Sequence, residues 1–448
     1  MPYGYLRLGF IDRDRPGMIG RLFFRRPAPA AATPTERIAP VLREPARMTP
    51  GEAFTPTRPK PGRRQLVGRQ LELDRILLAL RDERAHVVLF SERGRGKTSL
   101  SNLVVESLRH EGTVVARHTC EAGSSFDSIL HGLARDLPAS LLATAVGAAG
   151  EGCEAALPPG ELRPRDVLAF LPRLACNSLV CLVDEFDRVE DPGTRTRMAD
   201  TIKQLSDRGT ALSFLIIGVS ENLEQILGQH PSIQRNLVAV PLPLLADAEI
   251  ATLIEKGSAQ SGFSFFPAAV GRITVLARGM PYMAQLLGLR LTQAASARGD
   301  TAVTDDDFDA AVNRIIEDAA PSVTTLYANL TVSCTDTEMV AALRRLATAP
   351  QDKWGRLQVL STPKGAVIVS GRAITADCWG RLEAAKVIQF CGIGSNLATF
   401  TERALLHHVL LLAARDTSLP GDVDRRGATL VSETGSDAVK LHSLAAGR

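Results

Sequence analysis

The sequence predicts an α/β fold, a parallel β-sheet sandwiched between helices, followed by a small helical lid domain and a C-terminal winged-helix-like module. Three patterns predict it: short apolar runs separated by stretches with helical spacing, a purely helical pattern after Pro243, and late helices followed by a β-hairpin. Near-continuous apolar strands that alternate with helices are typical of parallel sheets buried on both faces.

The composition sets the broad class of the protein. The 448 residues are 45% hydrophobic and 23% charged, which favours a sizeable folded core and excludes a largely disordered chain. No apolar run reaches the roughly 18 residues of a membrane-spanning helix, so we expect no membrane partner. The seven cysteines are scattered without a CxxC pair, which disfavours disulfides and structural zinc and indicates a cytoplasmic protein.

Residues 1–64 are expected to form a disordered, basic extension rich in Pro and Arg. They hold thirteen Lys and Arg against five acidic residues, a net charge of +8, so the remaining residues sum to −5. A basic tail can contact nucleic acid, but the composition of this one favours an Arg/Pro/Ala-rich disordered extension without such a role. Met48 offers a second possible start, and the sequence leaves open whether residues 1–47 are translated.

The segment 65–245 is predicted to form the sheet domain. Its first strand is HVVLF (86–90), which is followed at once by the Gly-rich loop SERGRGKTS (91–99) and by a helix from about Lys97 to Leu108. This order of strand, loop and helix opens a βαβ unit. Four further apolar runs supply strands: TVVAR (113–117), LVCLV (179–183), SFLIIGV (213–219) and LVAVPL (237–242).

The Gly-rich loop resembles the phosphate-binding pattern GxxxxGK[ST], although Ser91 replaces the first glycine. Main-chain N–H groups between Gly94 and Ser99, at the start of a helix, can bind a polyphosphate. Lys97 would reach the β- and γ-phosphates, and the Thr98 hydroxyl would bind Mg²⁺. The predicted nucleotide-binding residues of this loop are Ser91, Glu92, Arg93, Gly94, Arg95, Gly96, Lys97, Thr98 and Ser99.

A pair of acids follows the strand LVCLV (179–183). Ligands bind outside the carboxyl ends of parallel strands, so Asp184 and Glu185 should lie beside the phosphate loop. Asp184 is predicted to hold Mg²⁺, and Glu185 to polarise the water that attacks the γ-phosphate. Because this pair prepares a water molecule, it favours hydrolysis over phosphoryl transfer to a second substrate.

The second half of the chain is predicted to form two smaller domains and a tail. Four helical patterns make a lid domain over 246–322, and further helices with a hairpin make a winged-helix-like domain over 323–415. Residues 416–448 are expected to be a flexible tail. The predicted helices are 246–259, 266–277, 281–298, 305–318, Glu338–Leu346, Thr375–Ala385 and Glu402–Ala414, and the hairpin strands are VIQF (387–390) and LATFT (397–401).

With both motifs in place, the chain resembles the P-loop ATPases of the AAA+ superclass, and is closest in pattern to origin-recognition-complex-like and STAND-type ATPases. The resemblance covers roughly residues 66–320, and the winged-helix region extends it. LVGRQLEL (66–73) resembles the segment that lies near adenine in these families. The resemblance implies ATP and Mg²⁺ as cofactors.

The resemblance also implies roles for residues outside the two motifs. Ser220 matches the sensor 1 position, with Asn222 as the second choice, and Arg235 in HPSIQR (230–235) matches an arginine finger that would require a homo-oligomer. Gly279-Met280-Pro281 resembles a GxP motif, which implies that Pro281 lies at the nucleotide.

Some residues depart from the family pattern. Tyr282 stands where a sensor 2 arginine would follow the proline, and Arg278 could substitute only from one helical turn away. Arg69 is expected to be a surface or capping charge. His407 and His408 are adjacent on a helix and cannot share a face, so no metal role is expected for them.

We therefore expect a Mg²⁺-dependent ATPase whose nucleotide state moves a helical lid and a winged-helix arm. The first alternative is an ATP-dependent DNA-binding initiator or loader, for which Trp379 and Arg381 would lie on the recognition helix. The basic excess there is modest, so contact with a partner protein or an autoinhibitory role competes with DNA. A second alternative is a nucleotide-holding scaffold with little turnover.

Overall fold

In the computed structural model, the described residues are 47–57, 66–142, 152–220, 234–332, 336–392 and 394–416. The sheet domain contains five parallel strands in the order β2-β3-β4-β1-β5. The predicted parallel sheet is thus confirmed, and each strand lies within two residues of its expected limits. The strands are β1 (His86–Phe90), β2 (Val114–Thr119), β3 (Leu179–Asp184), β4 (Leu212–Gly218) and β5 (Leu237–Pro241).

Helices cover both faces of this sheet because alternate residues of each buried strand point to opposite sides. In β1, Val88 and Phe90 belong to one apolar cluster, and Val87 and Leu89 belong to another. A short helix, α1 (Pro50–Ala53), precedes the domain. Helices α2 (Gln70–Arg81) and α3 (Lys97–His110) pack on one face, and α4 (Phe126–Asp136), α5 (Pro164–Phe170) and α6 (Pro192–Asp207) pack on the other.

The helical region follows the predicted pattern and adds one helix that the sequence analysis missed. The missed helix is α11 (Pro321–Thr331), in which only Val323 and Leu330 are buried, so its apolar periodicity is weak. Within the described ranges, no helix combines the length and the apolar character needed to cross a membrane. The other helices of this region are α7 (Asp247–Ser261), α8 (Pro267–Ala277), α9 (Pro281–Ala297) and α10 (Asp305–Glu317).

The C-terminal module contains the predicted helices and hairpin, within a larger sheet than expected. Its five antiparallel strands have the order β8-β7-β6-β10-β9, and β9 and β10 form the predicted hairpin. Strands β6 to β8 were missed because two of them have only three residues. The elements are α12 (Asp336–Thr348), β6 (Arg356–Ser361), β7 (Val367–Val369), β8 (Arg372–Ile374), α13 (Ala376–Ala384), β9 (Ile388–Phe390), β10 (Leu397–Phe400) and α14 (Arg403–Asp416).

Residues 47–57 correct the expectation that all of residues 1–64 are disordered. Phe54 is fully buried between α7 and α9, where it covers Gly257 and Gly288. A Cβ on either glycine would overlap the Phe54 ring. The amide of Thr55 also donates to Gln285 Oε1 at 3.0 Å. One large apolar side chain and a capped turn are enough to dock this segment, which we call the strap (residues 47–57).

Candidate nucleotide-binding site

The phosphate loop connects β1 to α3 at the carboxyl edge of the sheet. Gly96 precedes the helix with a φ of 94°, a conformation that glycine adopts without steric cost. The first hydrogen bond of the helix runs from the Leu100 amide to the Gly96 carbonyl. No described residue accepts a hydrogen bond from the main-chain N–H groups of Gly94 through Ser99. The loop therefore presents a row of free donors at a helix N-terminus.

These donors face a cleft of about 750 Å³, which is within the usual range for ligand sites. Asp184 and Glu185 line the same cleft at the end of β3, and Pro281 lines it from the start of α9. The strap contributes a further wall. The predicted site residues that line the cleft are Arg93, Gly94, Arg95, Gly96, Lys97, Thr98, Ser99, Asp184, Glu185 and Pro281.

Four other predicted site residues are not among those that line the cleft in the described part of the chain. Ser91 is buried, and its carbonyl faces Lys97. The Glu92 side chain faces Arg403 of the C-terminal module. Ser220 is buried one residue beyond Val219, which does line the cleft, and Arg235 is exposed before β5. Asn222, the second choice for sensor 1, lies outside the described residues.

Lys97 is folded back onto its own loop. Its Nζ donates to the carbonyls of Ser91 and Glu92 at 2.8 and 3.0 Å. Burial lowers the pKa of this amine to about 8, with opposing contributions from nearby charges. A bound phosphate would supply a counter-charge and compete with these carbonyls for the amine.

Asp184 and Glu185 have different partners. Asp184 Oδ2 accepts a hydrogen bond from Arg117 Nη2 at 2.9 Å, and the same guanidinium donates to Asn102 Oδ1 at 3.0 Å. Glu185 has a φ of 54° and pairs with Arg188 at 2.9 Å. A positive φ in a residue with a side chain is uncommon and is concentrated at functional sites. The Glu185 carboxylate is half exposed and borders the cleft.

The structure corrects two expectations for arginines. Arg69 is not a surface charge, because it is 3% exposed and donates to the carbonyls of Arg95 and Pro243 at 3.2 and 2.7 Å. Arg278 cannot replace a sensor 2 arginine here, because its guanidinium donates to the Ala349 carbonyl, away from the cleft. Tyr282 lines the cleft at the position where that arginine was expected.

Sequence reasoning missed three contributors to the site: Arg117, Arg403 and the strap residues that line the cleft. Arg117 pairs with a residue 67 positions away and Arg403 with one 311 positions away, so no local pattern signals them. The strap had one usable signal, a lone Phe54 in a Pro-rich stretch, with Pro50 at a helix start.

The residues present fit both a nucleotide and a magnesium ion. The free N–H groups of the loop suit a polyphosphate. Mg²⁺ is commonly held by one or two carboxylates together with substrate phosphates, and Thr98 and Asp184 both border the cleft. Among the described residues there is no cluster of three His, Cys, Asp or Glu that could hold a metal on its own. The phosphates would therefore complete the coordination.

A parallel sheet with this loop between its first strand and helix defines a P-loop nucleotide-binding protein. Comparison with protein families narrows the class, because residues 80–227 match the model of an AAA domain. Residues 80–227 therefore resemble an AAA domain, and the expected resemblance to the AAA+ superclass is confirmed for this region. A comparison with curated protein sequences gave no significant match.

A comparison with solved structures found distant matches. The ORC2 protein of Aeropyrum pernix is 14% identical with a TM-score of 0.44, and the match covers 82% of this chain and 98% of that one. A Walker-type ATPase of Pyrococcus abyssi is 16% identical with a TM-score of 0.48, over 80% and 99% of the two chains. RuvB of Thermotoga maritima is 15% identical with a TM-score of 0.40, over 71% and 95%. Similarity at this level assigns neither a substrate nor a partner.

Proposed function

We propose that this protein is a Mg²⁺-dependent ATPase whose nucleotide state is coupled to the helical lid and the C-terminal module. One observation carries the proposal: a single cleft is lined both by the loop Gly94–Ser99, with its free N–H groups, and by Asp184 and Glu185. A row of N–H donors suits phosphates, and two acids at the carboxyl end of β3, on the same edge of the sheet, suit metal binding and activation of water.

Each residue has a separate role in this proposal. Lys97 would leave the carbonyls of its loop and bind the β- and γ-phosphates, while Thr98 and Asp184 would hold the magnesium ion. The ion would stabilise negative charge on the phosphates. Glu185 orients the attacking water and accepts its proton. Pro281, at the start of α9, contacts the nucleotide, so that the lid responds to its presence.

Two substitutions separate binding from turnover. Lys97→Ala should abolish binding of MgATP in isothermal titration calorimetry, because the phosphate oxygens lose their cation. Glu185→Gln should keep binding and lose phosphate release, since the amide cannot accept the proton. Lys203→Ala on the exposed face of α6 and Glu106→Gln on α3 are matched surface controls. Turnover at the wild-type rate in Glu185→Gln would refute the role of this carboxylate.

Ser220 and Arg235 have proposed roles that follow from the AAA+ resemblance. Ser220 would act as sensor 1 from the end of β4. Arg235 is exposed, as a residue that completes a neighbouring subunit's site must be. Arg235→Ala should then reduce turnover without changing MgATP affinity, and light scattering should show an ATP-dependent rise in mass. A monomer that hydrolyses ATP at the full rate would exclude the finger.

One observation favours the scaffold alternative. In this structure both acids are already engaged, Asp184 by Arg117 and Glu185 by Arg188. Purified protein that carries bound ADP and hydrolyses ATP at the background rate would support a nucleotide-holding scaffold. Measured turnover that depends on Glu185 would exclude it.

The predicted DNA-reading helix is not supported. Trp379 on α13 is 3% exposed and packs against Phe390 with ring centroids 5.3 Å apart, so it belongs to the core of the module. Arg381 donates to the Leu330 carbonyl at 2.9 Å. Trp379 is therefore a core residue and Arg381 is half-buried, so neither contact supports reading of DNA by this helix.

A further inference from the structure

Arg403, the first residue of α14, is buried against the phosphate loop. It is 8% exposed, and its guanidinium contacts both carboxylate oxygens of Glu92, with Nε–Oε2 at 2.7 Å and Nη2–Oε1 at 3.2 Å. The remaining donors are directed to Gln351 Oε1 at 3.1 Å and to the Gly355 carbonyl at 3.0 Å. A two-point contact between arginine and a carboxylate fixes both orientation and distance.

Within the C-terminal module, Arg403 packs against the loop of residues 351–355, which leaves space for its guanidinium group. A Cβ at Gly355 would overlap the Arg403 guanidinium, so the approach depends on the absence of a side chain there. The same loop touches the sheet domain through the Lys353 carbonyl, which accepts a hydrogen bond from the Leu244 amide at 2.7 Å. The C-terminal module is therefore held to the nucleotide domain at several points around one arginine.

Glu92 contacts both Arg403 of the C-terminal module and Lys97 of the phosphate loop. Its side chain is held by Arg403, while its main-chain carbonyl accepts from Lys97 Nζ at 3.0 Å. Arg95 also pairs with the Glu92 carboxylate at 3.0 Å and donates to the Trp354 carbonyl at 2.8 Å. Two guanidinium groups thus neutralise the one carboxylate that the phosphate loop carries.

We propose that Arg403 is a positioning residue that holds Glu92 away from the phosphate site, so that docking of the C-terminal module raises the affinity of the loop for nucleotide. The inference rests on the proposed function of the loop as a triphosphate site. Without Arg403, the Glu92 carboxylate keeps only Arg95 as a charged partner, and its less neutralised charge at the edge of an anion site opposes polyphosphate binding. Because coupling between two sites is reciprocal, nucleotide must also stabilise docking of the module.

The test measures MgATP affinity by isothermal titration calorimetry on full-length variants. Arg403→Gln should weaken binding by about tenfold, since a lost charge partner near a polyphosphate is worth roughly a decade in affinity. The MgATP affinity of Arg403→Lys should lie between those of Arg403→Gln and the wild type, because lysine keeps the charge and loses the two-point contact. The double variant Glu92→Gln/Arg403→Gln should return to within about threefold of the wild type, since no carboxylate remains to oppose the phosphates.

A matched control breaks a different ion pair of the same module. Arg344 of α12 pairs with Asp416 at the far end of α14, about 20 Å from Arg403 along the helix axis. Arg344→Gln should bind MgATP as the wild type does. If Arg403→Gln does not fold, as judged by circular dichroism, the lysine variant and the double variant decide the question.

Hydrogen exchange tests the reciprocal half of the proposal. MgATP should slow exchange of the amides of residues 351–355 in the wild type and leave them unchanged in Arg403→Gln. Folded Arg403→Gln that binds MgATP within twofold of a binding wild type would overturn this inference alone. So would nucleotide-independent exchange of residues 351–355 in the wild type. A wild type that binds no MgATP overturns both this inference and the proposed function.

Discussion

Replacing Phe54 with alanine should destabilise the protein and weaken its nucleotide site together. The Phe54 ring is fully buried between two helices and meets the Phe265 ring edge-on, with centroids 5.9 Å apart. Removing a buried phenylalanine side chain costs about 3–5 kcal/mol. We expect about 3 kcal/mol, near the lower end, because the strap can detach while the helices stay folded. The next residues, Thr55 to Thr57, line the cleft, so their release removes part of its wall.

Urea unfolding gives the change in free energy, and calorimetry gives the change in MgATP affinity. Phe54→Met should retain most of the stability and most of the MgATP affinity, because methionine fills irregular apolar space. Leu71→Ala is a surface control, since Leu71 is 83% exposed. If the free energy of unfolding of Phe54→Ala lies within about 0.5 kcal/mol of the wild-type value, the change is typical of a surface substitution. The strap is then not docked as described.

Three further predictions concern other parts of the molecule. Burial lowers the pKa of His86 to about 4, so the folded protein keeps this side chain neutral. The resulting stability is fully present above pH 6.5 and is lost as the pH falls towards 4. Between pH 7 and pH 4.5, the free energy of unfolding in urea should fall by about 2–3 kcal/mol more in the wild type than in His86→Asn. Arg69→Gln should lower the free energy of unfolding by about 1–3 kcal/mol, because it leaves one buried and one half-buried carbonyl without this donor. An unchanged urea midpoint would contradict this. Trp379→Ala should lower the free energy of unfolding by about 3–5 kcal/mol. Any salt-dependent DNA binding of the folded variant should be unchanged, and its selective loss in a gel shift would support the recognition-helix interpretation.

The sheet and the phosphate loop could be predicted because their signals are local. Each strand of the sheet is an apolar run of five to seven residues, and the loop motif follows β1 without a gap. The parallel arrangement of the strands adds the position of Asp184, since the carboxyl ends of parallel strands share one edge. In the C-terminal module, three-residue strands such as β7 and β8 carry too little periodicity to be separated from turns.

Contacts between distant parts of the chain could not be predicted from local pattern. The sequence shows Glu92 as a variable position of a phosphate loop and Arg403 as an ordinary helix-start residue; only the folded chain brings them together. Trp379 illustrates the opposite error, since an aromatic residue beside a basic one on a helix suggested a binding face and proved to be core. Composition cannot distinguish a buried tryptophan from an exposed one.

The strand order of the sheet has a consequence for the folding of this protein during its synthesis on the ribosome. β1, which carries the phosphate loop, lies between β4 and β5, so Val87 pairs with Leu215 and Val238. Both neighbours are synthesised well over a hundred residues later, and such non-local pairing is slow to form. A nascent chain that ends before residue 212 therefore carries the phosphate loop without either neighbour of β1, and one that ends before residue 237 still lacks β5. Both strands that flank the phosphate loop are present only once residue 241 has been synthesised, and the helical region and the C-terminal module follow later.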